Sequence, residues 1–288
     1  RLFGVINLYL QQGHQATAHE SRFLSLVADA LAGAIHHKQT ECDLAAKESQ
    51  LMAAQSIKEH ILPSGPLTVP GIEIAGSYHP AEFAAGDHYD HFLLKDGSLS
   101  IGVGDVSGHG FSSALLMAST HAYIHALAAM DLPLSRVFDL ANENLHHETD
   151  AGQFITAFMG RIDPATMELT YVSAGHPNGY VLDEKGEVRA LLTSTGLPLA
   201  VLPGVEYEEG ERVKLASGDK VLLLTDGILE AESPTGAFFD ESGVLETMRE
   251  TAGRNAQETV DALMDAVQRF GGGRRQEDDL TAVVIRIM

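Results

Sequence analysis

From Ser21 to Leu62 the chain holds no proline and one glycine, Gly33, and its apolar positions recur at three- and four-residue spacing: Phe23, Leu24, Val27, Leu31, Ala34 and Ile35. That spacing predicts a long helix with one apolar stripe. Beyond His36 the stripe thins to Leu44, Leu51, Ile57, Ile61 and Leu62, while Glu41, Glu48 and Gln55 fall where a strict heptad places apolar residues. A weak seam between two helices, giving a homodimer, and a helix lying on its own domain both satisfy this pattern. Upstream, Phe3 to Leu10 reads as a strand followed by the polar turn QQGHQATAHE.

Pro63, Pro66 and Pro70 end the helix, and the period then changes from helical to extended. Between Ile72 and Met288 the predicted strands are IEIAGSY, HFLL, LSIGVG, FITAFMGRI, MELTYVS, GYVLD, VRALL, RVKL, KVLLLT and TAVVIRI. Compact turns such as Lys95-Asp96-Gly97 and Asp163-Pro164 join several of them, as antiparallel neighbours require. KVLLLT and TAVVIRI lack in-out alternation, so both of their faces should be covered. Helical patterns lie at 111–129, 136–148, 242–252 and 256–270. Two stacked sheets with helices outside would bury such strands on both sides.

Composition narrows the function classes. Forty acidic against nineteen basic residues give a formal charge of −21, which disfavours nucleic-acid backbones and anionic membranes as partners. A single cysteine, Cys42, excludes an internal disulfide and a cysteine-based zinc cluster, and a reducing cytoplasm is the natural expectation. No stretch approaches the roughly 20 continuous apolar residues of a membrane helix, and RLFGVINLYL lacks the pattern of a signal peptide. Because it opens at Arg1 inside a strand-like run, the chain is expected to be a fragment of something longer.

Four aspartates stand where a strand-like run meets a turn: Asp87 in AAGDHYDHF, Asp105 in GVGDVSGHG, Asp226 in LLLTDGILEA and Asp278 in RQEDDLTAVVIRI. A carboxylate at the end of a buried strand needs a cation, a donor or solvent. Arg274 and Arg275 are the nearest basic residues in sequence, ahead of Asp278. A divalent metal is the better counter-charge, and oxygen ligands without cysteine suit Mg²⁺ or Mn²⁺. Two such ions sharing a carboxylate would activate a water for attack on a phosphoryl group, so the expected chemistry is hydrolytic. Taken singly, each aspartate also fits a turn former or helix cap, as Asp226-Gly227 illustrates.

AAGDHYDHF, GDVSGHGFSSALLMA, SAGHPNGYVL, STGLPLAVLPG, LASGDKVLLLTDGILEA and EDDLTAVVIRI occur in this order. Together they resemble the SpoIIE/RsbU branch of the bacterial metal-dependent protein phosphatases (PPM, type 2C), over about residues 55–288. The resemblance implies an α+β fold, a four-layer αββα sandwich of two mainly antiparallel sheets. It also implies two Mn²⁺ or Mg²⁺ ions and hydrolysis of phosphoserine or phosphothreonine in a partner protein. By the same resemblance Asp105 bridges both ions, Asp226 and Asp278 serve the first, and Asp87 with the backbone carbonyl of Val106 serves the second. Asp105 and Asp226 are the catalytic candidates, and Asp279 is a neighbour. The implied substrate is a phosphorylated STAS-type anti-anti-sigma factor in a bacterial signalling or stress-response pathway. A non-catalytic sensor or scaffold that binds a phosphoprotein is the alternative.

Some positions depart from the family pattern. Ala85 stands where glycine is usual; His88 and His91 flank Asp87 and are expected to be exposed; His109 lies too far beyond Asp105 to inherit an acid role; His176 reads as a turn residue near the substrate approach. GVINLYL with HESRFLSLVADALAGAIHHK resembles the last strand and closing helix of a GAF sensor domain. The expected organisation is a GAF remnant at 1–38, a helical linker at 39–62 and the phosphatase domain at 63–288.

Overall fold

The computed structural model describes residues 17–63, 65–81, 86–108, 110–130, 132–149 and 152–288, with side chains at 46–60 excepted. The strand expected at Phe3 to Leu10, with the strand half of the GAF resemblance, lies outside these residues, as do Ala85 and His109. The chain divides into two units, Arg1–Met52 and Ala53–Met288.

Helix α1 (Ala18–Ile61) runs through the segment predicted helical. Its start is fixed by a reciprocal cap. Thr17 N–H donates to Glu20 Oε2 at 2.8 Å while Glu20 N–H donates to Thr17 Oγ1 at 3.2 Å, satisfying two amides that have no partner within the helix. Phe23, Leu31 and Ile35, from the apolar stripe, are exposed.

Among the described residues of the larger unit, eleven strands form two antiparallel sheets. The first has the order β1 (Leu67–Val69), β2 (Ile72–His79), β11 (Leu280–Ile287), β10 (Lys220–Leu224), β7 (Gly179–Leu182) and β8 (Val188–Leu192). The second has the order β3 (His88–Leu93), β4 (Leu99–Val106), β5 (Ile155–Asp163), β6 (Glu168–Ala174) and β9 (Val213–Lys214). Helices α2 (Phe111–Ala128) and α3 (Leu134–Glu148) cover the second sheet. A single turn, α4 (Asp226–Leu229), follows β10, and α5 (Asp240–Glu250) and α6 (Ala256–Gly271) cover the first sheet.

Three apolar layers result. Ile74, Leu99, Ile101, Val103, Val221, Leu223 and Val283 pack between the sheets, and separate clusters fill each sheet–helix gap. This is the αββα sandwich expected, and it explains the unbroken apolar runs. All of β10 and nearly all of β11 are buried, because each strand has a sheet on one face and helices on the other. The strands predicted between Ile72 and Met288 all appear; the short β1 and the turn α4 were not predicted, being too brief to show a period.

Strand parity decides what faces each layer. On β4, Leu99, Ile101 and Val103 point between the sheets, so Asp105 points there as well. Ser100, Gly102 and Gly104 alternate with them and leave room beneath α2.

One buried cation stands out. Lys220 on β10 donates through Nζ to the Thr251 carbonyl at 2.6 Å and to Thr259 Oγ1 at 2.8 Å. Burial first, then the charges of Arg286 and Arg254, lower its pKa to about 8. An unfolded lysine titrates near ~10.4, so between these values the unfolded chain binds more protons and stability must rise with pH. Urea titrations should show unfolding free energy increasing from pH 8 to 10 by about 2 kcal/mol more in the native sequence than in Lys220→Met. Parallel pH curves for the two proteins would contradict this.

Candidate metal centre

Asp87, Asp105, Asp226, Asp278 and Asp279 gather at one end of the sandwich because of the antiparallel registers. His88 pairs with Gly104, placing the start of β3 beside the end of β4. Leu224 pairs with Ala282, placing the end of β10 beside the start of β11. Asp87 precedes β3, Asp105 closes β4, Asp226 follows β10 and Asp278-Asp279 precede β11. Carboxylates from both sheets therefore meet across the inter-sheet layer.

Asp87 is only 1% exposed. Its Oδ2 accepts from Thr225 Oγ1 at 2.7 Å and from Thr281 Oγ1 at 2.5 Å, one hydroxyl from each of the facing strand ends. Burial and the neighbouring Asp105 nevertheless push its pKa well up. Burial also raises Asp105, with Asp226, Asp278 and Asp279 adding to the effect, to about 7. Asp226 is raised by burial and then by Asp278 and Glu230. No ion pair with lysine or arginine reaches Asp87, Asp105 or Asp226 among the described residues. Arg274, the cation suggested by sequence, instead meets Glu232 Oε2 at 3.0 Å and the Ser233 carbonyl at 3.0 Å.

Two glycines make the close approaches possible. A Cβ on Gly86 would lie 2.6 Å from the Val106 carbonyl oxygen and 3.0 Å from Asp105 Oδ1. A Cβ on Gly227 would lie 2.1 Å from the Asp279 carbonyl oxygen. Any larger residue would drive apart the segments carrying the aspartates.

Asp279 has a positioning role that spacing alone could not assign. Its Oδ1 accepts the Ala81 N–H at 2.8 Å and its Oδ2 accepts the Asp87 N–H at 3.4 Å, tying the loop before β3 to the start of β11. Its own N–H donates to Asp278 Oδ1 at 2.8 Å. The threonine pair was likewise missed, although Thr225 and Thr281 stand beside the aspartates in LTDG and DDLTA.

Three histidine expectations change. His176 is 3% exposed rather than lining an approach; its Nδ1 lies 2.9 Å from Thr156 Oγ1, and Thr156 is the register partner of Asp105. Burial lowers its pKa to about 3, which keeps the ring neutral. His88 is 7% exposed and His91 half-buried, not exposed as expected, because α2 closes over one face of β3 and the facing sheet lies over the other.

This donor set fits hard divalent cations: it is anionic and all-oxygen, and Gly86 lets the loop carrying Asp87 lie against Asp105 and the Val106 carbonyl. Asp87, Asp105, Asp226, Asp278 and the Val106 carbonyl could share two such ions. Among the described residues, the one set of three side chains with ligand atoms all within 4.8 Å is elsewhere, at His88, Asp90 and His121.

Residues 95–288 match the family model of stage II sporulation protein E (SpoIIE). Phosphoserine phosphatase RsbU of Bacillus subtilis (strain 168) is 26% identical over 249 residues, covering 86% of this chain and 70% of RsbU. Protein IcfG of Synechocystis sp. is 26% identical over 264 residues, 82% of this chain but 41% of IcfG, so this chain spans less than half of that relative. The SiaA-PP2C domain of Pseudomonas aeruginosa superimposes with a TM-score of 0.72 at 21% identity, covering 86% of this chain and 98% of that domain. With a family match over residues 95–288 and two sheets between two helical layers that superimpose on a PP2C domain, the chain belongs to the SpoIIE family and has the PP2C phosphatase fold.

Proposed function

We propose that this chain is a metal-dependent protein serine/threonine phosphatase that removes phosphate from a phosphorylated regulatory protein. The observation that carries the reading is the convergence of Asp87, Asp105, Asp226 and Asp278, with no basic ion pair to the first three among the described residues. Charges so arranged repel and take up protons unless cations discharge them. Two Mg²⁺ or Mn²⁺ ions, when bound, would supply an activated water and neutralise the phosphate. Asp105 lies centrally and is the bridging candidate, with Asp226 and Asp278 on one side and Asp87 with the Val106 carbonyl on the other. Thr225 and Thr281 hold one oxygen of Asp87 and so aim the other.

A cleft of about 820 Å³ opens beside Gly227 and Asp278 and is walled by Phe238, Arg274 and Arg275. Its lining sets Arg274 and Arg275 among Glu230, Glu232, Glu277 and Asp278, so Arg275 is the candidate contact for a phosphoserine loop entering this open groove. By family analogy the substrate is a STAS-type anti-anti-sigma factor in the bacterial cytoplasm. The exposed stripe of α1 suits pairing with a second copy, through which an upstream GAF-type sensor would act. Among the described residues no helix is long and apolar enough to cross a membrane.

Phosphate release from a phosphoserine protein should require Mn²⁺ or Mg²⁺ and fall at least a hundredfold in Asp226→Asn or Asp105→Asn; equal turnover in chelator would overturn the reading. Thr225→Val and Thr281→Val should raise the Mn²⁺ concentration for half-maximal activity severalfold with kcat at saturating metal nearly kept, as measured by metal titration of the rate. Arg275→Glu should raise KM for a phosphoprotein by about tenfold while hydrolysis of a small aryl phosphate stays unchanged, which steady-state kinetics on both substrates would check.

A further inference from the structure

Outside the aspartate cluster, a second group of ligating side chains lies between β3 and α2. His88 and Asp90 are two apart on a strand and so share its helix-facing side. His121 and His125 are four apart on α2 and so share the face turned toward that strand. His121 Nδ1 lies 2.8 Å from His88 Nε2 and 3.6 Å from Asp90 Oδ2. The ligand atoms of His88, Asp90 and His121 all fall within 4.8 Å of one another. Ligands held tetrahedrally about 2.0–2.1 Å from zinc stand about 3.3 Å apart, so small side-chain rotations would suffice.

We propose that His88 Nε2, His121 Nδ1 and Asp90 Oδ2 form a binding site for a zinc-class divalent cation, separate from the aspartate cluster. Two imidazoles and one carboxylate are a donor set for Zn²⁺ rather than for Mg²⁺ or Mn²⁺, which favour oxygen. His125 Nδ1 lies 3.1 Å from Asp90 Oδ2 and holds that carboxylate from the rim, while Phe92 stacks on the His125 ring at 4.0 Å. This is the outer support that metal-binding carboxylates usually have. Beneath the cluster is a cavity of about 30 Å³, floored by Ser100, Gly102 and Gly104. It has room for the fourth ligand, a water. His125 is 47% exposed, so the site is reached from solvent.

The site and the aspartate cluster use opposite faces of one strand. Asp87 points between the sheets to Thr225 and Thr281, whereas His88, the next residue, points to α2. A cation on His88 would therefore pin the start of β3 without entering the phosphatase centre.

The test is equilibrium dialysis of the tag-free chain against Zn²⁺ with Mg²⁺ in large excess, the bound zinc being counted by mass spectrometry. About one Zn²⁺ per chain is expected, with affinity at least tenfold weaker in His121→Gln and kept in Asp105→Asn. Equal zinc binding by the native chain and His121→Gln would overturn the site, and so would zinc lost in Asp105→Asn but retained in His121→Gln, which would place it among the aspartates. Should His121→Gln fail to fold, zinc X-ray absorption of the native chain decides the matter: two imidazoles in the shell support the site, and an all-oxygen shell overturns it. Either result is independent of whether the chain hydrolyses phosphoproteins.

Discussion

The mutual repulsion of carboxylates held at one end of the sandwich, Asp87 buried and Asp105 and Asp226 half-buried, is the constraint around which the larger unit is arranged. Asp87, Asp105 and Asp226 all have their pKa raised, and in each case burial is the first cause and another aspartate the next. A surface cluster would relax by turning its side chains into water. These cannot, because Asp105 ends a strand whose preceding residues are locked into the inter-sheet core and Asp87 is clamped by two threonines. The apolar layers thus do more than stabilise: they hold charges in an arrangement that water alone would disperse, and that divalent cations would discharge.

Rigidity of this kind has local causes. Glycine at 86 and 227 removes the side chains that would separate the loops. Asp279 uses both carboxylate oxygens on backbone amides of the opposite loop, so it positions Asp87 rather than competing with it for a ligand. His176, kept neutral by burial, braces Thr156, which lies directly across from Asp105. Each device acts on the backbone or on a neighbour of the charged groups, and together they fix the ends of four strands.

Much of this was legible in the sequence. Strand periodicity, the unbroken apolar runs of β10 and β11, and aspartates at strand ends depend on local pattern, and local pattern survives folding. The layered architecture could be read on that basis, as could the position of Asp87, Asp105, Asp226 and Asp278 at strand ends, whereas their grouping in one site followed only from the resemblance to the phosphatase family. What could not be read depends on contacts between segments far apart in the chain. The clamp on Asp87 joins residues 138 and 194 positions away, and nothing near Thr225 or Thr281 marks them as its partners. Arg274 looked like a counter-charge for Asp278 because of its proximity in sequence, yet the turn before β11 carries it to Glu232.

His88 shows where local reading fails most clearly. Next to a loop aspartate, among polar residues, it has the surroundings of an exposed histidine. Its burial follows from two facts set elsewhere: β4 carries Ser100, Gly102 and Gly104 on its outer side, and α2 lies close over that side, bringing His121 within 2.8 Å. Small residues on one strand thereby decide the environment of a histidine on the next. The alternation of a strand then sends consecutive residues, Asp87 and His88, into chemically different layers, one lined by carboxylates and the other by imidazoles. One peptide unit separates the two environments, so any force that fixes the His88 ring against α2 also limits how far Asp87 can move between the sheets.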